Sequence, residues 1–139
     1  MILLDTSGLL SALDASQRFH RACVQALRAA QPPLLLSPFV LAELDYLLAK
    51  HVGSTAQEML LAEVARGAYQ LEVFTADDVA RAGEVIQRLP GQNIGLADAS
   101  IVVLAERHAV TAVLSLDERH FRALRIDRRK RFRILPFDA

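Results

Sequence analysis

Two acidic residues stand at the ends of short apolar runs, where a carboxylate could take part in chemistry. Asp5 directly follows the run 2–4, and Asp117 comes three residues after the run that ends at Leu114. Short apolar runs of this kind are typical of buried strands. Ligands of α/β proteins bind at the carboxyl ends of strands, so both acids are candidates for a functional site.

Two further acids occur within helical patterns that are otherwise apolar. Glu43 has apolar residues three and four positions away on both sides, and Asp98 is followed at this spacing by Ile101 and Val102. The spacing predicts that both carboxylates point along a core-facing stripe rather than into water. No Lys or Arg occurs three or four positions from either acid, so neither has a basic partner on its own helix.

Carboxylates gathered in this way require a compensating positive charge. A buried, unpaired carboxylate is costly, and two of them about 4 Å apart repel by about 4 kcal/mol at an effective dielectric of about 20. A divalent cation removes this repulsion, and oxygen ligands suit Mg²⁺ or Mn²⁺. If the four acids converge, they predict a metal site.

Each acid taken alone also has a structural explanation. Asp5 could cap a helix, Asp98 could interact with a helix dipole, and Asp117 could be a turn residue. Glu43 fits such an explanation least well. The metal hypothesis therefore depends on all four acids together.

Apolar runs alternate with helical stretches along the whole chain. The candidate strands are 2–4, 34–36, 71–74, 111–114 and 132–135, and the candidate helices are 17–30, 37–51, 55–66, 75–88 and 96–108. Strands without polar alternation are typical of a parallel sheet that helices cover on both faces. We expect a single α/β/α sandwich over residues 1–139, with a mainly parallel sheet of four to five strands.

The charges are divided unevenly between the body of the chain and its last segment. Sixteen basic and sixteen acidic residues give a net charge of zero, but residues 1–118 carry −6 and residues 119–139 carry +6. Arginine binds phosphate bidentately, and screening beyond about 8–10 Å requires such charge to lie near a nucleic-acid site. The candidate RNA-binding residues are Arg119, Arg122, Arg128, Arg129, Lys130 and Arg131. The alternative is a solvated segment whose charges pair with acids of the body. His120 is expected to be a surface residue.

The compartment is predicted from cysteine use and hydropathy. Cys23 is the single cysteine, which favours a reducing compartment. The first residues lack the basic stretch of a signal peptide, and the most apolar region, 34–48, is interrupted by Pro38 and Glu43. We therefore expect a cytoplasmic protein without a membrane segment.

Four motifs resemble those of a known family. They are Asp5-Thr6-Ser7 after the first strand, Glu43 within Val40-Leu41-Ala42-Glu43-Leu44, Leu96-Ala97-Asp98-Ala99 at the start of an apolar helix, and Ser115-Leu116-Asp117 after a strand. In order and spacing they resemble the PIN-domain ribonucleases, in particular the VapC-type toxins of prokaryotic toxin–antitoxin pairs. The family often has Thr where this chain has Ser115, and the hydroxyl is retained.

The resemblance implies a metal-dependent endoribonuclease toxin that hydrolyses structured RNA, either tRNA or rRNA. Asp5, Glu43, Asp98 and Asp117 would bind one or two Mg²⁺ or Mn²⁺ ions. Thr6 and Ser115, with Ser7 as a further candidate, would orient Asp5, a water or a phosphate. Asp45 is treated as a surface residue.

The resemblance also implies protein partners, namely a VapB-type antitoxin and a second copy of the chain. The apolar stretches 39–48 and 59–64 are candidates for these interfaces, although core packing also accounts for much of their apolar character.

Two other functions remain open at this point. One is a catalytically silent PIN-like module that binds RNA or acts as a scaffold, and the presence of all four acids counts against it. The other is a DNA-directed nuclease that uses the same metal chemistry. The sequence has no Gly-rich phosphate loop and no Asp-x-Asp phosphatase start.

Overall fold

One sheet of five parallel strands forms the centre of the molecule. The structure is a computed structural model that describes residues 1–139. The strands are β1 (Ile2–Leu4), β2 (Leu34–Leu36), β3 (Gln70–Leu71), β4 (Ala112–Leu114) and β5 (Arg133–Leu135), in the spatial order β3-β2-β1-β4-β5. The predicted α/β fold with a short parallel sheet is confirmed.

Seven helices connect the strands. They are α1 (Thr6–Leu13), α2 (His20–Ala29), α3 (Pro38–His51), α4 (Ser54–Ala65), α5 (Ala76–Gln87), α6 (Leu96–His108) and α7 (Glu118–Ala123). None of these helices has the length and apolar character needed to cross a bilayer.

The order of the strands creates a switch point beside β1. From β1 the chain proceeds outward to β2 and β3, and it then returns to place β4 on the other side of β1. The Asp5 amide continues this pairing by donating to the Leu114 carbonyl at 3.0 Å. In open α/β sheets a crevice forms at such a point, outside the carboxyl ends of the strands.

The central elements are buried because apolar side chains cover them on all sides. Leu3, Leu35 and Leu114 are fully enclosed. Helix α6 is enclosed from Ala99 through Ala105 and packs against α5, α3 and β1. This burial explains why α6 lacks a polar face, in contrast to a helix at the surface of a protein.

The third strand differs from its prediction. It covers Gln70–Leu71 rather than 71–74, and its ladder ends where the Glu72 amide donates to the Leu36 carbonyl at 2.9 Å. The Val73 side chain is 73% exposed. Since β3 is an edge strand paired with β2 alone, its position is set by backbone pairing and not by burial of the apolar run.

Helices α3 and α5 begin directly after the capping residues expected from the sequence, whereas α2 begins later than predicted. Ser37 accepts a hydrogen bond from the Phe39 amide, and Thr75 forms a reciprocal capping box with Asp78. Helix α2 begins at His20 rather than near residue 17. Asp14 accepts hydrogen bonds from Ser16 and Gln17 and holds these residues in turns before the helix.

A network around Glu106 holds the last segment of the chain against the body. The Glu106 carboxylate accepts from Arg81 Nε and Nη2 at 3.0 and 2.8 Å, which joins α6 to α5. The same carboxylate accepts from the Asp127 amide at 2.8 Å. Ile126 then pairs with Lys130 in an antiparallel bridge. The basic segment therefore follows a defined path.

Gly8 allows the start of α1 to approach the end of β4. A Cβ atom at this position would lie 2.4 Å from the Leu114 carbonyl oxygen and 2.6 Å from its carbonyl carbon. Both are backbone atoms of a central strand, so they cannot move aside easily. The absence of a side chain at Gly8 is what lets the residues around Asp5 lie beside those that follow β4.

We predict that Gly8→Ala destabilises the protein by about 1–3 kcal/mol, the range for overpacking a dense interior. Gly83→Ala is the matched control, because Gly83 lies within α5 and a Cβ there meets nothing within 4 Å. Alanine favours a helix over glycine, so the control should gain about 0.5–1 kcal/mol. Chemical denaturation of the two variants and the wild type measures both effects. Equal stability of the two variants would contradict the close approach.

Candidate active site

Asp5 occupies a buried position at the switch point. Its side chain is 4% exposed, and its Oδ2 accepts hydrogen bonds from Ser7 Oγ at 2.9 Å and Ser115 Oγ at 2.6 Å. Although Asp5 stands at the N-cap position of α1, its side chain makes no capping hydrogen bond. The structural explanation of Asp5 as a helix cap is therefore wrong.

The two serine hydroxyls connect Asp5 to the turn that follows β4. Ser115 Oγ accepts from the Asp117 amide, and Ser7 Oγ accepts from the Leu116 amide, each at 2.9 Å. Each hydroxyl thus donates to the carboxylate while a backbone amide holds its oxygen. This arrangement positions Asp5 relative to Asp117.

Glu43 contacts Thr6, the residue after Asp5, and does not lie on the core-facing stripe. The core side of α3 consists of Val40, Leu44 and Leu48, and Glu43 is exposed next to this line. The expectation of a core-facing Glu43 is wrong, because the stripe follows a four-residue spacing and is narrower than the apolar sequence suggested. Its Oε1 accepts from Thr6 Oγ1 at 2.7 Å. The Thr6 hydroxyl, expected to orient Asp5, a water or a phosphate, donates to Glu43.

Asp98, Asp117 and His120 form a compact cluster. Asp98 lies in the first turn of α6, and Asp117 caps α7 by accepting from the His120 amide at 3.0 Å. His120 Nδ1 is 2.9 Å from Asp98 Oδ2 and also 2.9 Å from Asp117 Oδ2. One donor atom from each residue falls within 4.8 Å of the other two, which is close enough for all three to contact one ion.

The placement of His120 corrects the expectation that it is a surface residue. Its side chain is 18% exposed and lies between the two carboxylates. The spacing of three residues between Asp117 and His120 corresponds to one helical turn after a strand end, and this is the sequence signal that indicates their contact. The signal is weak because helix α7 has only six residues.

A buried hydroxyl chain joins the two helices that carry Glu43 and Asp98. The Phe39 amide donates to Ser37 Oγ, which is 2.7 Å from Ser100 Oγ, and Ser100 donates to the Ala97 carbonyl at 2.6 Å. Since the Ser100 proton is directed to Ala97, Ser37 is the donor between the serines. Both side chains are fully buried. The starts of α3 and α6 are therefore held together beneath the site.

The electrostatics of the site oppose ionisation of its buried carboxylates. Burial raises the pKa of Asp5 to about 6, against the lowering effect of the Ser115 hydroxyl, and the charge of Asp98 adds to the increase. Burial also raises the pKa of Asp98, where the attraction of His120 opposes the change and the charge of Asp117 adds to it. The site therefore favours additional positive charge.

The basic residues near the end of the chain divide into paired and free groups. Arg122 forms ion pairs with Glu118 and Asp138, so the alternative of a charge-paired surface applies to it. Arg125 donates to the carbonyls of residues 122–124. The candidates that are exposed and form no ion pair are Arg119, Arg128, Arg129, Lys130 and Arg131.

Comparisons with known proteins agree with this fold. The family model described as PIN domain matches residues 2–128. The curated protein Ribonuclease VapC26 of Mycobacterium tuberculosis is 40% identical over 135 residues, covering 97% of this chain and 100% of its own length. The chain therefore belongs to the PIN-domain family and, within it, to the ribonucleases of the VapC type. The resemblance drawn from the sequence motifs is confirmed.

Two solved structures share the fold. The crystal structure of Mycobacterium tuberculosis VapC20, described as a sarcin–ricin loop cleaving toxin, is similar with a TM-score of 0.78 and 22% identity, covering 84% of this chain and 90% of that one. FitAcB from Neisseria gonorrhoeae is similar with a TM-score of 0.59 and 22% identity, covering 87% of this chain and 91% of that one.

We predict that Asp5→Asn stabilises the metal-free protein at alkaline pH. The folded protein holds the Asp5 proton up to about pH 6, whereas the unfolded chain releases it near 3.8, so ionisation of Asp5 lowers stability as the pH rises between these values. In EDTA near pH 8, the free energy of unfolding of the variant should exceed that of the wild type by up to about 3 kcal/mol, and near pH 4 this difference should disappear. Urea denaturation at both pH values measures the difference. A variant less stable than the wild type at pH 8 would contradict the conclusion that burial opposes ionisation of Asp5.

Proposed function

We propose that this VapC-type ribonuclease is a metal-dependent endoribonuclease toxin that hydrolyses a phosphodiester bond in structured RNA. The observation that carries the proposal is the pair Asp98 and Asp117, whose carboxylates lie close enough to contact one ion. Asp5 is linked to the Asp117 amide through Ser115, and Glu43 is held by Thr6, the residue after Asp5. Because a structural neighbour is described as cleaving the sarcin–ricin loop, we propose ribosomal or transfer RNA as the substrate class.

The donor set fits a divalent cation. Burial disfavours the ionised forms of Asp5 and Asp98, and oxygen ligands suit Mg²⁺ or Mn²⁺. Asp5, Glu43, Asp98 and Asp117 would hold one or two such ions. A bound ion would supply a water of lowered pKa and positive charge for the phosphate oxygens.

The hydroxyl groups supply orientation. Ser7 and Ser115 both donate to Asp5 Oδ2, so the other carboxylate oxygen remains free of hydroxyl donors. Thr6 performs a similar task for Glu43, whose exposed side chain would otherwise adopt many rotamers. Groups held in place before substrate binds do not have to be ordered during the reaction, and this preorganisation favours catalysis.

RNA would be held by the free basic residues. A cluster of carboxylates repels phosphate, and Arg119 follows Asp117 by only two residues. Arg128, Arg129, Lys130 and Arg131 continue the positive surface. We propose that these five side chains contact phosphates of the substrate, whereas Arg122 stabilises the protein through Glu118 and Asp138.

An apolar surface on α3 and α4 is the proposed site for protein partners. Tyr46 and Met59 are 61% and 60% exposed, and Leu61 is 43% exposed. A VapB-type antitoxin and a second copy of this chain are the partners proposed to cover these side chains.

We predict that the purified protein cleaves structured RNA in Mg²⁺ or Mn²⁺ but not in EDTA. Asp98→Asn should lower cleavage by at least about a hundredfold, because it removes a charged ligand. Asp45→Asn is the matched control, since Asp45 is a carboxylate two residues from Glu43 that binds Gln57 outside the site. Gel analysis of labelled RNA measures the rates. Cleavage that persists in EDTA would contradict metal dependence, and faster cleavage of DNA would favour the DNA-directed alternative.

We predict that replacing Arg128, Arg129 and Arg131 with Ala weakens RNA binding and reduces its dependence on salt. Loss of up to three phosphate contacts should lower the slope of log K against log salt by about 2–3. The control replaces Arg18, Arg21 and Arg28 with Ala. These substitutions remove the same charge from an exposed surface around α2. Both sets are measured by filter binding with the Asp98→Asn variant. Equal effects of the two sets would show that only net charge matters.

A further inference from the structure

His120 has no role in the function proposed above, yet it contacts two of the four acids of the site. Its Nδ1 is fully enclosed and lies at the same distance, 2.9 Å, from one oxygen of Asp98 and one of Asp117. Neither oxygen lies in the direction required for a hydrogen bond from the ring, so this buried nitrogen has no hydrogen-bond partner. A buried nitrogen of this kind requires another explanation.

The distances agree with those between ligands of one metal ion. An octahedral ion with bonds of about 2.0–2.1 Å places neighbouring ligand atoms about 3 Å apart. The two separations of 2.9 Å between Nδ1 and the carboxylate oxygens match this spacing. A simple ion pair would instead direct the ring N–H toward one of the oxygens.

The surroundings of His120 hold its imidazole in this position. Its own amide donates to Asp117 Oδ1, so one carboxylate contacts both the backbone and the ring of the same residue. The next residue, Phe121, is buried and packs edge-to-face against Phe132 with ring centroids 5.2 Å apart. The short helix α7 is thereby fixed to the core, and the imidazole does not have to move to reach an ion between the two acids.

We propose that His120 Nδ1 is a direct ligand of the catalytic ion, together with Asp98 and Asp117. This inference rests on the proposed metal-dependent function. The metal site would then include one nitrogen donor, His120 Nδ1, in addition to carboxylate oxygens. Imidazole binds Mg²⁺ poorly and transition metals well, whereas carboxylates accept both Mg²⁺ and Mn²⁺. The site therefore binds Mn²⁺ more tightly than Mg²⁺, and His120 provides the preference.

The test uses Mn²⁺ as a spectroscopic probe of the full-length protein. Pulsed electron paramagnetic resonance detects the nuclear modulation of a nitrogen bonded to Mn²⁺, and calorimetry measures the affinities for Mn²⁺ and Mg²⁺. The variants are His120→Asn, which retains a polar side chain, and His120→Ala. His51→Asn is the control, because His51 is exposed in the last turn of α3. Thermal unfolding in EDTA verifies that each variant is folded.

We expect a nitrogen signal in the wild type and in His51→Asn, and none in either His120 variant. The Mn²⁺ dissociation constant should rise by at least about tenfold on loss of His120, and the Mg²⁺ constant should rise by less. Carboxylate-dependent Mn²⁺ binding without a nitrogen signal, or a signal that persists in both His120 variants, would overturn the inference and leave the proposed function intact. Mn²⁺ binding that is unchanged in Asp98→Asn would overturn the metal site itself.

Discussion

The burial of the Asp5 carboxylate between β1 and β4 is the constraint on which the rest of the site depends. A carboxylate that is 4% exposed requires hydrogen-bond donors to remain in a protein interior, and Ser7 at the start of α1 and Ser115 after β4 both donate to its Oδ2. The close approach of the two strand ends requires Gly8, where a side chain would collide with Leu114. The local sequence around Asp5 is thus determined by packing as much as by chemistry.

The same burial leaves the negative charges of the site without enough positive charge to balance them. Burial opposes ionisation of both Asp5 and Asp98, the charge of Asp98 adds to this effect at Asp5, and the charge of Asp117 adds to it at Asp98. His120 lies where positive charge or a ligand bond is most needed, between Asp98 and Asp117. The zero net charge of the chain conceals this local imbalance, because the compensating arginines lie on the surface and not among the carboxylates.

The sequence predicted the layers of the fold and the acids of the site, but not the contacts between distant segments. The bounds of helix α6 follow from the sequence because the helix is strongly apolar. Strand β3 was misplaced because an edge strand is set by backbone pairing. The environments of Glu43 and His120 were misjudged because Thr6 and Asp98, which contact them, are far away in the chain. Such contacts follow from the topology and leave little trace in local spacing.

The anchoring of the last segment has a consequence for the thermodynamics of binding. Glu106 holds the Asp127 amide, Ile126 pairs with Lys130, and Phe132 is buried, so the backbone on both sides of the free arginines is ordered without any ligand. A flexible basic tail loses conformational entropy when it binds a phosphate chain, and this loss offsets part of the electrostatic attraction. Here the folded protein has already lost the backbone part of that entropy, and only side-chain rotamers remain to be ordered.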